Sequence, residues 1–324
     1  MDTHEFDLDN DEVEIVGIEA FEDVPEGHRS GFVTIVGRPN VGKSTLLNAF
    51  LQQKIAIATP RPQTTRVRQL GIITESDYQM IFVDTPGIME EPRHKLDEFM
   101  LDTAVSSLRD ADVVLWLVEA SELVGPGDRA IAEKLAQLGE DTAVVLGINK
   151  LDLLEAAQVQ ERAEAYQSLL PNAPWVMFSA TTGHGRDELM QLLIEALPEG
   201  PRLYPADQVT DAYLRDIAAE LIREQLLLQL REEIPYGTAV KIDEFKERDK
   251  GVTYIGATIY VERENHKAIV IGHKGSQLRD LGTAARQEIE KLLEQKVFLE
   301  LWVKAEPKWR RNERALQRLG YSSN

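Results

Sequence analysis

The sequence predicts an α/β domain built on a mixed, mostly parallel sheet, followed by a smaller α+β domain. Three observations predict it. From Gly31 to about residue 200, short β-branched runs alternate with longer stretches of helical spacing. Pro198, Gly200, Pro201 and Pro205 then interrupt the pattern and mark a linker. Beyond them the order of elements changes.

The strand candidates of the first domain are "FVTIV", "YQMIFVD", "DVVLWLV", "TAVVLGIN" and "PWVMFSA". Between most of them lie amphipathic stretches such as "GDRAIAEKLAQLG" and "GRDELMQLLIEALP". Strands alternating with helices imply a parallel sheet covered on both faces. Leu70–Ile73 and "YQMIFVD" are too close for a crossover helix, so they are expected to form an antiparallel hairpin. In the second domain a long amphipathic helix is expected from about Asp207 to Glu233, stopping before Pro235. The runs "TAVKIDEF" and "VTYIGATIYVE", helices near "HKAIVIG" and "QLRDLGTAARQEIEKLLE", and the strand "KVFLELWVK" complete an α-β-β-α-α-β order. The expected boundaries are an acidic tail over 1–30, a first domain over 31–200 and a second over 201–324.

Composition narrows the function classes. The 324 residues contain no cysteine, which excludes disulfides and thiolate metal sites and favours an intracellular setting. No stretch reaches the roughly 18 unbroken apolar residues of a membrane helix, and the N-terminus lacks the pattern of a secretory signal. The formal charge of −19 argues at first against a nucleic-acid partner. Its distribution reverses that reading. Residues 1–30 hold 11 acids and one base, whereas residues 201–324 hold 20 acids and 21 bases, with the bases clustered. The acidic tail reads as a solvated, disordered extension; the alternative is an acidic peptide competing with RNA for the basic region.

The chemistry-bearing motifs fall at strand ends. "GRPNVGKS", residues 37–44, fits G-x-x-x-x-G-K-[ST] between a strand and a helix. Gly37 and Gly42 let the loop turn so that the amides from Asn40 and Val41 through Thr45 face phosphate oxygens. Lys43 reaches the β- and γ-phosphates, and Ser44 offers an oxygen to Mg²⁺. "DTPG" follows the run "MIFV", which places Asp84 at a strand's carboxyl end, ready to hold Mg²⁺ through water, with the Gly87 amide toward the γ-phosphate. "NKLD" holds Asn149, Lys150 and Asp152, and the Asp152 carboxylate can accept both donors of guanine's edge. "SATTG" brings Ser179 and Ala180, whose amide is expected to face the guanine oxygen. In the second domain "GHKG", Gly272, His273, Lys274 and Gly275, is a G-x-x-G loop between two expected helices, with Arg279 nearby. Glycines there allow a sugar-phosphate backbone to lie close. Residues 304–321 hold six bases and two acids; Lys308, Arg310 and Arg311 flank Trp309, which either stacks on a base or packs into the domain.

These motifs together, with "PQTTR" and "WVKAEPKWRRNERALQRLGY", make residues 31–324 resemble the bacterial Era GTPases. The resemblance implies a guanine-nucleotide domain joined to a KH RNA-binding domain. It implies GTP as substrate, GDP as product and Mg²⁺ as cofactor. It implies binding near the 3′ end of small-subunit ribosomal RNA during small-subunit assembly, with association at the inner membrane periphery. A cytoplasmic monomer is expected, with no DNA partner. "PQTTR" is similar to the family's first switch; Thr65 is the expected Mg²⁺ ligand beside Ser44 and Asp84, and Thr64 the alternative. Lys43, Thr65, Gly87 and Asn40 are the expected catalytic set.

One position departs from many nucleotide hydrolases. A water-orienting glutamine there follows the glycine of the motif. Here it is Ile88, as an apolar residue is in the Era class. Water must then be oriented by backbone, a switch residue, a cation or a partner. Asn40 either helps hold K⁺ near the phosphates or is a loop residue tolerating unusual φ/ψ. Two rival readings are a non-enzymatic RNA-binding module with nucleotide as structural ligand, and a peripheral membrane GTPase.

Overall fold

The computed structural model describes residues 24–321, apart from Glu90, Glu140, Asp141, Asp249 and Lys250. The acidic stretch up to Asp23, and the disorder expected of it, lie outside the described residues.

Six strands form the first sheet: β1 (Arg29–Gly37), β2 (Gln69–Thr74), β3 (Tyr78–Asp84), β4 (Val113–Glu119), β5 (Ala143–Asn149) and β6 (Trp175–Met177). Their order is β2-β3-β1-β4-β5-β6, and all neighbours are parallel except β2 and β3. The antiparallel hairpin expected from the short connection is present. Five helices cover the sheet: α1 (Lys43–Leu51), α2 (Lys95–Ser107), α3 (Pro126–Leu135), α4 (Val159–Gln167) and α5 (Arg186–Ala196). Alternation along the strands sorts side chains between the two faces. Val33 and Ile35 pack with Leu46, Leu47, Leu189 and Leu193 of α1 and α5. Val36 and Trp116 pack with Ala104, Ile131 and Tyr166 of α2, α3 and α4. Parallel pairing brings the carboxyl ends of β1, β3, β4 and β5 to one edge, with Ile35 opposite Asp84 and Glu119 opposite Asn149.

The second half runs α6 (Leu214–Gln229), β7 (Ala239–Arg248), β8 (Val252–Val261), α7 (Glu264–Ile271), α8 (Ser276–Leu293) and β9 (Lys296–Ala305), followed by a short α9 (Glu313–Arg318). This is the α-β-β-α-α-β order, with a sheet β7-β8-β9. Its core joins Ile217, Leu221 and Ile222 of α6 to Ile255, Ile259, Leu281 and Ile289.

The helix expected over 207–233 is shorter. Residues before Leu214 run instead along the free edge of β2, where Ile72 donates to the Val209 carbonyl at 2.7 Å and the Thr210 hydroxyl donates to that of Leu70 at 2.6 Å. An uncovered edge strand leaves a row of unpaired backbone groups, and satisfying them outweighs helical spacing. The two halves also share apolar cores. Ile55 and Ile57 join the α6 cluster, and Leu96 and Met100 of α2 pack with Trp309, Leu316 and Tyr321.

Candidate functional site

The carboxyl edge of the first sheet opens into a cavity of about 310 Å³ between the phosphate-loop sequence, the segment Ala58–Thr65, Gly87 and Lys150. Asn40, Gly42, Lys43, Ser44 and Thr45 line it. Helix α1 begins at Lys43, so its unpaired amides and partial positive charge face the cavity. Gly42 has φ 102°, and a Cβ there would lie 2.2 Å from Asn149 Nδ2. Only glycine fits both constraints. Val41 is buried and packs into the core beneath the loop rather than lining the cavity.

Three oxygens converge beneath the loop. Asp84 Oδ2 accepts from the Ser44 hydroxyl at 2.7 Å and from the Thr65 hydroxyl at 3.0 Å, and the two hydroxyls are 2.8 Å apart. Asp84 is fully buried and its Oδ1 has no hydrogen-bond partner among the described residues. A buried carboxylate with an unused lone pair beside two hydroxyls is a hard-oxygen donor set that suits Mg²⁺. Burial raises the Asp84 pKa above its ordinary value, opposed by the Lys43 charge. The threonine alternatives separate here: Thr64 bonds within its own loop, to Thr59 and the Arg61 carbonyl, while Thr65 faces Ser44 and Asp84.

Lys43 Nζ donates to the carbonyls of Gly37 and Arg38. Burial pushes its pKa down to about 8, with Asp84 opposing. The free residue titrates near 10.4. Between those values the folded chain holds fewer protons than the unfolded chain. The buried lysine therefore costs stability below about pH 8, and the cost is relieved as pH rises toward 10. Binding runs the other way, because a polyphosphate favours the ammonium. Affinity for a nucleoside diphosphate is expected to fall as pH rises through about 8, by up to about tenfold per pH unit. Calorimetry at pH 8.5 in buffers of different ionisation enthalpy checks this, since proton uptake makes the heats diverge. Equal heats would remove the shifted lysine.

Asn149 is a tie between loops: its Nδ2 donates to the Val41 carbonyl at 2.8 Å and its Oδ1 accepts from the Ala180 amide at 2.9 Å. The Ala180 amide, expected to face a guanine oxygen, donates in this structure to Asn149 Oδ1. The Ser179 hydroxyl likewise serves its own turn, accepting from the Thr182 amide. Lys150 adopts φ 65° and pairs with Glu119 at 2.5 Å. That conformation turns the chain so that Asp152 stands exposed, with no partner among the described residues. Asn40 also has φ 67°, and its Nδ2 donates to the Pro60 carbonyl at 3.2 Å. Ile88 packs into the core beside Val36 and Trp116, and its amide donates to the Gly37 carbonyl. Gly87 lies so near Pro39 that a Cβ would meet its backbone nitrogen at 2.7 Å.

In the second half, Gly272, His273, Lys274 and Gly275 form a single turn between α7 and α8, with positive φ at Gly272, Lys274 and Gly275. His273, Lys274 and Arg279 are exposed. Arg311 is exposed, whereas Arg310 pairs with Glu262 at 2.5 Å. Trp309 is not a stacking platform, contrary to one of its two sequence readings. It is fully buried, donates from Nε1 to the Gly237 carbonyl at 2.9 Å and stacks on Tyr321. An indole finds both an apolar bed and a carbonyl there, and that outweighs a solvent position.

Sequence reasoning missed two buried arginines that bridge the halves. Arg66 donates to the carbonyls of Tyr236 and Thr238, and Arg223 donates to those of Gln63 and Thr64. The only trace of the second was a charged pair, "RE", inside the apolar run "LIREQLLL".

The fold and site define a P-loop nucleotide-binding protein whose second domain carries a KH-type G-x-x-G turn. The family described as "50S ribosome-binding GTPase" matches residues 32–150, and the KH domain family matches residues 233–310. The GTPase Era of Geobacter metallireducens is 50% identical over 295 residues, covering 91% of this chain and 98% of that protein. That of Caldanaerobacter subterraneus subsp. tengcongensis is 47% identical over 296 residues, with 91% and 98% covered. A crystal structure of Era with MgGDPNP and nucleotides 1506–1542 of 16S ribosomal RNA superposes with TM-score 0.88 at 41% identity, covering 91% of this chain and 100% of that one. A variant of Aquifex aeolicus Era bound to GDP·AlF4⁻ gives 0.87 at 41% identity, with the same coverage. The chain belongs to the Era family of GTPases.

Proposed function

We propose that this protein is a GTP-hydrolysing switch that binds small-subunit ribosomal RNA near its 3′ end and assists assembly of the small subunit. The observation that carries the reading is the convergence of Ser44, Thr65 and Asp84 oxygens beneath a phosphate loop, in a chain that also holds an exposed GHKG turn. The Era relative crystallised with MgGDPNP and 16S ribosomal RNA supports both halves of it. The "50S" description belongs to a family matched over the first domain alone, so the full-length Era likeness guides the choice of partner.

In this reading the amides from Asn40 and Val41 through Thr45 bind the phosphates, with Gly37 and Gly42 shaping the loop and Lys43 balancing their charge. Asp152 reads guanine, while Asn149, Lys150, Ser179 and Ala180 hold the base-side loops. Ser44, Thr65 and Asp84 would hold Mg²⁺, which would supply positive charge to offset the charge that develops on the phosphates. Thr65 links nucleotide state to the 59–66 loop, and the Gly87 amide serves the γ-phosphate. Gly272, His273, Lys274, Gly275, Arg279 and Arg311 contact RNA, with Arg310 reaching it by leaving Glu262. Residues 31–200 and 201–324 act as its two functional units. The working place is the cytoplasm, where assembling subunits are, with any contact at the inner membrane face peripheral. Among the described residues no helix is long and apolar enough to cross a membrane.

With Ile88 built into the core, its side chain orients no water. Asn40 is proposed to help hold a K⁺ that offsets charge as the bond breaks. Phosphate release is expected to be slow in Na⁺ and to rise by roughly tenfold or more in K⁺ at equal ionic strength. Ile88→Ala is expected to keep kcat within about threefold while lowering stability by about 2 kcal/mol. Absence of phosphate release in either salt, with GTP bound, would favour the non-enzymatic rival. Indifference to the cation would remove the K⁺ role alone.

A further inference from the structure

The loop carrying Thr65 is gripped from the RNA-binding half by two adjacent, buried, oppositely charged residues of α6. Arg223 is 1% exposed and Glu224 is 2% exposed. Glu224 accepts from Lys54 Nζ at 2.6 Å and from the Ala58 amide at 3.3 Å, at the start of the loop. Arg223 donates to the Gln63 carbonyl at 3.3 Å and to the Thr64 carbonyl, at its end. Its Nε and Nη2 also donate to Glu220, whose carboxylate fixes the guanidinium's plane. The next peptide holds Thr65, whose hydroxyl meets Ser44 and Asp84. Opposite, Gln63 Nε2 reaches Asp97 of α2 at 3.2 Å. Arg66 is sunk among the Tyr236 and Thr238 carbonyls and the rings of Trp309 and Tyr321.

A loop left to itself samples many conformations, and each frozen residue costs roughly 1–2 kcal/mol. A hydroxyl that must meet a metal site within a few tenths of an ångström needs that cost met beforehand. We propose that Arg223, supplied by the RNA-binding half, is a positioning residue for GTP hydrolysis: it fixes the Gln63–Thr65 backbone and thereby sets the Thr65 hydroxyl against Ser44 and Asp84. This rests on the GTPase reading above. Arg223 touches neither nucleotide nor metal, and its effect passes through two backbone carbonyls. Arg66 anchors the same loop in the other direction, so displacement of α6 and displacement of Thr65 are one event. Two domains that share a loop in this way are coupled reciprocally.

The test uses the full chain with Arg223→Met, which keeps length and loses the donors, and Arg223→Lys, which keeps charge but not the two-pronged geometry. For Arg223→Met, kcat for GTP is expected to fall at least about tenfold with GDP affinity within about twofold, because GDP does not need Thr65. Arg223→Lys is expected to recover part of that loss. In nucleotide-free, Mg²⁺-free protein, amide exchange in residues 63–67 is expected to speed up in Arg223→Met, while the β1 and β4 amides keep their protection. A parental kcat in Arg223→Met overturns the proposal, as does unchanged exchange in that loop. Equal falls in GDP affinity and kcat also overturn it, since they mark a general structural role. If Arg223→Met does not fold, Arg223→Lys is read instead, and a parental kcat there has the same force. A parent that binds but does not hydrolyse GTP would defeat the GTPase reading itself, and the exchange result would still judge the contact.

Discussion

Asp152→Asn is expected to exchange GTP for XTP as the preferred nucleotide. Asp152 follows β5 on a turn set by Lys150 and carries no ion pair or hydrogen bond among the described residues. It therefore has no part in holding the fold, and an exposed substitution of this kind is expected within about 0.5 kcal/mol of neutral. Asn149, beside it, is buried and tied to Val41 and Ala180. That leaves the Asp152 carboxylate as the group free to accept from guanine's ring N–H and exocyclic amine. An asparagine amide offers one acceptor and one donor, which matches xanthine, where a carbonyl replaces the amine. Sites built on such pairs reject the mismatched base strongly, so GTP affinity is expected to fall by roughly 100-fold to 1,000-fold and XTP affinity to rise. Competition among ATP, GTP and XTP for a fluorescent GDP analogue reads the change. Equal displacement by ATP and GTP in the parent would end the guanine assignment.

Lys274→Glu combined with Gly275→Asp is expected to abolish RNA binding while GTP hydrolysis stays within about twofold. The structure separates the two glycines of the turn. A Cβ on Gly272 would lie 2.6 Å from Gln277 Cβ and 2.8 Å from its backbone nitrogen, whereas a Cβ on Gly275 meets nothing within 4 Å. Gly272 is thus needed by the fold, and its substitution would report stability rather than binding. Gly275 has φ 78°, so an aspartate there carries strain of roughly 1–2 kcal/mol, and Asp tolerates that region better than most residues. Both substitutions place negative charge where a sugar-phosphate backbone must approach. Against an oligonucleotide from the 3′ end of small-subunit ribosomal RNA, affinity is expected to drop at least about 100-fold near 0.1 M salt. The parent's affinity should fall steeply with salt, as phosphate contacts release counterions. Retained parental affinity in the variant would move the RNA path away from this turn, toward Arg311 and Arg279.

Much of the architecture was legible because it rests on local rules. Short apolar runs such as "MIFV" and the proline-glycine break after residue 197 set the strands and the change of order. The short turn before Tyr78 made β2 and β3 antiparallel. The phosphate-loop motif was legible for the same reason, since its geometry is set by glycines close in sequence. The helix start at Leu214 was not legible, because residues 207–213 answer to the edge of β2, a partner more than 130 residues away. Trp309 was ambiguous, since an indole flanked by arginines suits a solvent-facing stack and a buried bed equally. The Gly237 carbonyl and the Tyr321 ring decide for the bed, and neither is near in sequence.

The family, the order of elements and the phosphate loop were legible from residue order alone. Those depend on residue type and short spacing, where backbone sterics and hydrogen-bonding capacity leave few options. Tertiary structure alone decided that Thr65, not Thr64, meets Ser44 and Asp84, and that Asn149 ties the Val41 carbonyl to the Ala180 amide. It alone placed Arg223 on the loop carrying Thr65 and Arg66 in the opposite half. A buried guanidinium needs several carbonyls or carboxylates in one place. Such a set forms only where distant segments meet, so no window of sequence contains it.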